Sequence, residues 1–100
     1  MIKHIVMMKL KASEDVEMRK EKLASMLEGL KGKILQIREW EVGRNFSDKE
    51  AAFDIVLLSG FDSIEDLDIY RVHPDHVNVL GFIREVVEKI HVVDYVISGQ

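Results

Sequence analysis

The sequence predicts an α+β fold in which helical segments cover one face of a four-stranded antiparallel sheet. Four short apolar segments are typical of strands, whose side chains point to opposite faces with a period of two, and apolar residues recur at helical spacing in other segments. Strand and helix patterns are also separated only by short joins, as expected for a compact two-layer sandwich. The chain has 100 residues, of which 47% are hydrophobic. We therefore expect a single domain over residues 1–100 with enough apolar side chains for a core.

The first half of the chain is predicted to form a strand, a helix and a second strand. Apolar residues in Ile2–Leu10 alternate as in a strand. Ser13 is the expected N-cap of the helix, and Gly32 is the glycine expected at its C-terminus. The apolar side of this helix is formed by Val16, Leu23, Leu27 and Leu30. The second strand is predicted over Ile34–Val42.

The second half continues with a strand, two helical segments and a last strand. The third strand is predicted over Phe53–Ser59, and Ser63 begins a capping-box-like helix start. This short helix is expected to end near Val72, and Pro74 is suited to the first turn of the next helix. Ile90–Ile97 is the predicted last strand. The order β-α-β-β-α(α)-β is that of the ferredoxin-like βαββαβ fold.

Three of the predicted strands carry apolar side chains on both faces. In the first strand, Ile5 and Met7 lie on the opposite face from Val6, and the third and last strands show the same pattern. Helices cover only one face of such a sheet, and a bare apolar face of this size would be a sticky surface. We therefore expect a homodimer through the open sheet face, which should bury on the order of 1,200–2,000 Å².

Composition excludes several classes of function. The chain has no cysteine, which removes disulfides, thiolate metal sites and cysteine nucleophiles. Its net charge is −4 with acids and bases mixed, so we expect neither nucleic acid nor a membrane surface as partner. The start over residues 1–9 is too short and too rich in lysine for a signal peptide, and no apolar run approaches a span of ~18 residues. We expect a cytoplasmic protein without a cofactor.

Six short strings along the chain occur together in a characteristic order. They lie at residues 3–6, 41–45, 53–57, 61–63, 70–76 and 92–95. The most specific is Tyr-x-x-His-Pro-x-His at residues 70–76, between two predicted helices. In order and spacing, the strings resemble the stress-responsive A/B barrel (Dabb) family over essentially the whole chain. The resemblance implies a dimeric α+β barrel, in which two four-stranded sheets pack into one closed barrel with the helices outside.

The resemblance also implies candidate site residues. The best understood family member is a plant polyketide cyclase, which closes a linear polyketide thioester by aldol condensation in a cavity between helices and sheet. Its catalytic tyrosine and histidine match Tyr70 and His76, and a further histidine near its N-terminus matches His4. Another of its pocket histidines falls near Asp54 and Ile55 of this chain. Ile55 is therefore a binding candidate. Because this chain has no histidine at that place, the substrate of the cyclase is not carried over to it.

His76 and Tyr70 are the candidate catalytic residues. His76 falls in the first helical turn after Pro74, where the helix dipole disfavours positive charge, so a neutral imidazole is suited to be a general base. Tyr70 is suited to hydrogen-bond a carbonyl or enolate oxygen. The structural alternatives are that His76 packs against the preceding segment and that the Tyr70 ring fills the core.

His4, Val6, Met8 and His73 are further binding candidates. His4 shares a strand face with Val6 and Met8, where it either lines a pocket or bonds a buried carbonyl group. His73 precedes a proline at a helix N-cap position, so its ring either contacts a ligand or bonds backbone. We expect no metal site, because the spacing around His73 matches no known metal-binding turn.

Three functional hypotheses follow. The first is a small-molecule binding protein or polyketide-cyclase-like lyase, in which His76 deprotonates the carbon next to a carbonyl group that Tyr70 polarises. The second is a non-catalytic stress-response or interaction protein, which predicts an interior filled by apolar side chains. The third is a cofactor-free monooxygenase-like dimeric barrel. A cavity of roughly 300 Å³ or more beside both side chains would favour the first hypothesis.

Overall fold

The computed structural model describes residues 1–98, which form four strands and three helices. These are β1 (Ile2–Leu10), α1 (Val16–Glu28), β2 (Glu39–Arg44), β3 (Ile55–Phe61), α2 (Ile64–Val72), α3 (Pro74–Val86) and β4 (Val87–Val96). The strands form an antiparallel sheet in the order β2-β3-β1-β4. This is the ferredoxin-like arrangement that the sequence predicts.

Alternation along the central strands β1 and β3 places one set of side chains beneath the helices. In the register, Val6 lies opposite Leu57 and Met8 opposite Ile55, and all four side chains are buried. Around them the core is completed by Ile2, Leu10, Leu23, Ala24, Leu27, Leu30, Ile34, Phe61, Leu67, Tyr70, Val79 and Val86. The helix side of the sheet is therefore where an interior site can form.

Within the described residues, the other face of the sheet has no helix over it. Lys3, Glu39 and Glu41 lie toward one end of this face, and its centre is apolar. It presents Ile5, Met7, Val56, Leu58, Val93 and Tyr95. Of these, Met7 is 41%, Val93 59% and Tyr95 47% exposed. The two-sided apolar pattern predicted for β1, β3 and β4 is therefore present, and we call this surface the open face.

The junction between α2 and α3 follows the predicted signals. The Ser63 hydroxyl accepts a hydrogen bond from the Asp66 backbone N–H at 3.1 Å and caps α2. Pro74 is the first residue of α3, and a residue that precedes proline is restricted to extended backbone. His73 takes this conformation, with φ −62° and ψ 135°. The chain therefore bends sharply between the two helices.

The second strand begins at Glu39, so the prediction of a strand from Ile34 is wrong. The Ile34 N–H donates to the Leu30 carbonyl at 3.3 Å, and the Ile37 N–H donates to the Ile34 carbonyl at 3.3 Å. These bonds make successive turns, in which positions three apart share a side. Ile34 is buried and Ile37 packs against the core, so their spacing reflects turns and not strand alternation.

Other element boundaries differ from the predictions by a few residues. The N-cap of α1 is Asp15 and not Ser13, whose hydroxyl instead donates to the Asp15 carboxylate at 2.9 Å. The same helix ends at Glu28, with Gly29 and not Gly32 as its C-cap. The third strand starts two residues later than expected and extends to residue 61. The last strand starts at residue 87, because α3 runs into it without a loop.

Candidate functional site

A cavity of about 330 Å³ lies between the helix side of the sheet and the helices. Its polar lining consists of His4, Tyr70, Arg71 and His76. The apolar walls include Val6, Met8, Leu27, Leu57, Ile83 and Val92. A mostly apolar cavity with a few convergent polar groups is the usual form of a small-molecule site.

The bend between α2 and α3 brings Tyr70 and His76 together. Tyr70 lies near the C-terminus of α2, and His76 lies in the first turn of α3. The centroids of the two rings are 4.3 Å apart. His4 approaches from β1 on the helix side of the sheet, with its ring centroid 6.1 Å from that of Tyr70. Three separate elements therefore supply one cluster of polar rings.

The His76 imidazole is held in one tautomer and stays uncharged. Its Nδ1 lies 2.9 Å from the Arg71 carbonyl oxygen. Because a carbonyl oxygen only accepts, Nδ1 carries the proton and Nε2 keeps a free lone pair. Burial lowers the pKa of His76, and the positive charge of nearby Arg71 adds to this, while the bond to the carbonyl opposes it. His76 thus has a basic nitrogen at neutral pH.

The Tyr70 hydroxyl is a donor without a partner in the described part of the chain. The residue is 1% exposed, and its ring packs against Phe61 and Trp40 at centroid distances of 5.1 and 5.8 Å. Within residues 1–98, every buried polar side-chain atom that solvent cannot reach makes a hydrogen bond. The unbonded hydroxyl must therefore reach the cavity that Tyr70 lines. Burial raises the pKa of Tyr70, so the phenol stays protonated.

His4 belongs to a hydrogen-bonded chain that the sequence did not predict. Its Nδ1 contacts the Asp94 carboxylate, whose other oxygen accepts from Arg71 Nη2 at 2.8 Å. Asp94 faces His4 in the β1–β4 register. The available signal was alternation in β4, where Val92, Asp94 and Val96 share a face. Pairing that face with His4 needed the strand order and register, which one sequence does not supply.

The structure brings together five of the seven predicted site residues. The cavity is lined by His4, Val6, Met8, Tyr70 and His76. His73 lies outside its lining, where Nδ1 accepts a hydrogen bond from the Asp75 backbone N–H at 3.1 Å and caps α3. Ile55 is also outside, buried in the core at the start of β3 with 3% exposure.

Two further properties concern the described residues alone. Among residues 1–98, no group of three or more His, Cys, Asp or Glu side chains is arranged to hold a metal ion. Over the same range, no helix has the length and apolar character needed to cross a membrane.

The fold and the cavity define a ferredoxin-like α+β domain with a polar cluster beneath its helices. The model of the stress responsive A/B barrel domain matches residues 2–97. The chain therefore belongs to the stress-responsive A/B barrel (Dabb) family, as the six strings predicted.

Known proteins agree with this assignment. The stress-response A/B barrel domain-containing protein DABB1 of Arabidopsis thaliana is 30% identical over 95% of this chain and 46% of its own length, so the chain spans about half of that relative. A dimeric protein of unknown function from Bacteroides fragilis is 35% identical, with a TM-score of 0.84 over 94% of this chain and 93% of that one. The hydroxynitrile lyase of Passiflora edulis has a TM-score of 0.81 at 21% identity, over 99% of this chain and 94% of its own.

Proposed function

We propose that the cavity binds a small carbonyl compound and that His76 and Tyr70 carry out acid–base chemistry next to its carbonyl group, in the manner of a lyase. The observation that carries the proposal is the unbonded Tyr70 hydroxyl, which faces the cavity beside an uncharged imidazole. The fold houses a hydroxynitrile lyase in Passiflora edulis. At 21% identity that likeness concerns fold alone, so the proposal rests on the cavity.

The proposed step is proton abstraction from the carbon next to the carbonyl group. His76 Nε2 takes the proton, and the electron pair of the broken C–H bond forms the enolate with its charge on oxygen. The Tyr70 hydroxyl donates a hydrogen bond to that oxygen, which stabilises the enolate more than the neutral ketone. The imidazolium then returns the proton to carbon, or the enolate carbon attacks a second carbonyl group and the alkoxide that forms takes the proton from the imidazolium; either route restores neutral His76.

Hydrogen–deuterium exchange tests this step without knowledge of the natural substrate. Acetophenone is mostly apolar and carries exchangeable protons beside its carbonyl group, and its loss of methyl protons in D₂O is followed by NMR. His76→Asn keeps a donor near the Arg71 carbonyl but lacks the Nε2 base, so exchange should fall by about 10²–10⁴-fold. Wild-type exchange in this variant would refute the role of His76.

His73→Asn is the matched control. It removes an imidazole outside the cavity, and asparagine is itself a good N-cap, so α3 should keep its capping bond. Exchange in this variant should equal that of the wild type. A loss as large as that in His76→Asn would mean that the assay reports helix geometry and not a base.

We further propose that two copies of the chain form a homodimer through the open face. The face is apolar and exposed, and the Bacteroides fragilis relative with 35% identity is dimeric. Ile5 and Leu58 are paired at the middle of the face, so Leu58→Lys would bury a charge between the sheets. Light scattering should show a monomer for Leu58→Lys. The control Val72→Lys, on the exposed side of α2, should leave a dimer; a dimeric Leu58→Lys would refute this interface.

A further inference from the structure

We infer that Asp94 is a positioning residue for His4, which it holds with the imidazole proton on Nδ1. His4 Nε2 then faces the cavity as a second basic nitrogen. This nitrogen selects ligands that carry a hydroxyl or enol donor beside their carbonyl group. The part that concerns ligands rests on the proposed function. The part that concerns the tautomer stands on the geometry of His4, Asp94 and Arg71 alone.

The first step is the contact between His4 and Asp94. The Asp94 carboxylate touches His4 Nδ1, and an ionised carboxylate only accepts hydrogen bonds. The proton of a neutral His4 ring therefore lies on Nδ1. This leaves the lone pair on Nε2, which has no partner within residues 1–98. Because every inaccessible polar side-chain atom in that range is bonded, Nε2 has access to the cavity that His4 lines.

The second step is the orientation of the carboxylate. Arg71 Nη2 donates to Asp94 Oδ2 at 2.8 Å while Oδ1 faces His4. Arg71 thereby fixes which side of Asp94 meets which partner. The Ser59 hydroxyl donates to the His4 backbone carbonyl at 2.8 Å and anchors the strand at the same point. His4 is 7% exposed, so its ring has little freedom to turn away.

The third step is the pattern that the cavity offers to a ligand. Tyr70 supplies one donor, and His76 and His4 each supply one acceptor nitrogen. A simple ketone satisfies Tyr70 but leaves His4 Nε2 without a hydrogen bond. A hydroxyl or enol group on the same molecule satisfies it. An unpaired buried acceptor is unfavourable, so the site should prefer carbonyl compounds that also bring a donor.

The tautomer is tested on the ligand-free protein by long-range ¹H–¹⁵N NMR at a pH of about 8, which lies above the ordinary pKa of a histidine side chain. Wild-type His4 should be protonated on Nδ1. In Asp94→Asn, the Arg71 guanidinium should attract the amide oxygen, so the amide NH₂ faces His4 and moves the ring proton to Nε2. Adding Arg71→Met releases the amide, and Nδ1–H should return at least in part. The bond from His76 to the Arg71 backbone remains in both variants.

Three results would overturn the role of Asp94. They are a wild-type ring protonated on Nε2, a ring protonated on both nitrogens, and an Asp94→Asn ring with the wild-type tautomer. Each is interpreted only after the thermal unfolding of the variant shows that it is folded. Since no ligand is present, none of these readouts depends on the proposed function.

The ligand preference is tested with meta- and para-hydroxyacetophenone and their methyl ethers. For at least one isomer, the wild type should bind the phenol about two- to twelvefold more tightly than the ether, and Asp94→Asn should abolish the difference. A preference that survives in Asp94→Asn, or no preference in the wild type, would overturn the ligand assignment. If none of the four compounds binds, the proposed function fails, and the tautomer measurements still decide the role of Asp94.

Discussion

Tyr70→Phe separates a functional tyrosine from a structural one. The change removes one oxygen atom and keeps the ring contacts with Phe61 and Trp40. The hydroxyl has no hydrogen bond within the described chain, so the protein loses no internal bond. A desolvated, unbonded hydroxyl costs about 1–3 kcal/mol, and access to the cavity reduces this cost. We expect the free energy of unfolding to be unchanged or to increase by up to about 1 kcal/mol.

The same substitution should weaken the binding of a ligand with a carbonyl group. One hydrogen bond contributes about 0.5–1.5 kcal/mol, which corresponds to about two- to twelvefold in affinity for acetophenone. Ethylbenzene has a similar shape but no carbonyl oxygen. Its affinity should be the same in the wild type and in Tyr70→Phe. Comparing two proteins and two ligands therefore isolates the contact between the hydroxyl and the carbonyl group.

Urea unfolding gives the stability, and titration followed by NMR gives the affinities. A Tyr70→Phe protein that is less stable by more than about 1 kcal/mol would show that the hydroxyl bonds within the chain and is part of the scaffold. Equal losses of affinity for acetophenone and ethylbenzene would show that the variant reshapes the cavity. Either result would refute the reasoning that makes Tyr70 the donor to a ligand.

Two more predictions concern stability. Because the pKa of His76 is lowered in the folded state, the unfolded state binds a proton first as the pH falls below about 6.5. The contribution of His76 is therefore fully present above that pH and is lost below it. In urea unfolding, the stability of His76→Asn should decline less than that of the wild type as the pH falls below about 6.5. Met8 is 1% exposed and lines the cavity, so Met8→Ala should lower the free energy of unfolding by about 2–5 kcal/mol. Both alanine changes are compared in the monomeric Leu58→Lys protein, where Met7 on the open face is 41% exposed, so Met7→Ala should cost less stability than Met8→Ala. Equal urea midpoints for the two alanine variants would contradict the assignment of faces.

Local signals in the sequence predicted the parts of the fold that local physics determines. Alternation located β1 and β3, and the hydroxyl of Ser63 and the ring of Pro74 marked two helix starts. The error at Ile34 arose because apolar residues in consecutive turns and in a short strand look alike over a few positions. The backbone hydrogen bonds to the Leu30 and Ile34 carbonyl groups distinguish turns from a strand here, and they depend on where α1 ends.

The candidate site was predictable only in part, for a different physical reason. The string at residues 70–76 contains both Tyr70 and His76, and one bend brings them together. Asp94 and His4 are ninety positions apart in the chain, and their contact exists only because β4 pairs with β1. His73 resembled His76 in the sequence, but its position before a proline directs its ring to the backbone of α3.

The register between β1 and β4 connects the site to the proposed assembly. His4 and Val6 face the cavity, while Ile5, between them, belongs to the open face. A shift of one residue in the pairing would exchange the two faces of β4, so His4 would lose Asp94 and the Asp94 carboxylate would move into the open face. Each face therefore specifies the register that the other needs.

If two copies pack through the open face, the dimer should hold β4 in the register that keeps Asp94 on His4. A monomeric Leu58→Lys protein should then show faster hydrogen exchange at the backbone amides of β4 than the control Val72→Lys. Equal exchange in the two variants would show that the β1–β4 pairing is set within one chain alone.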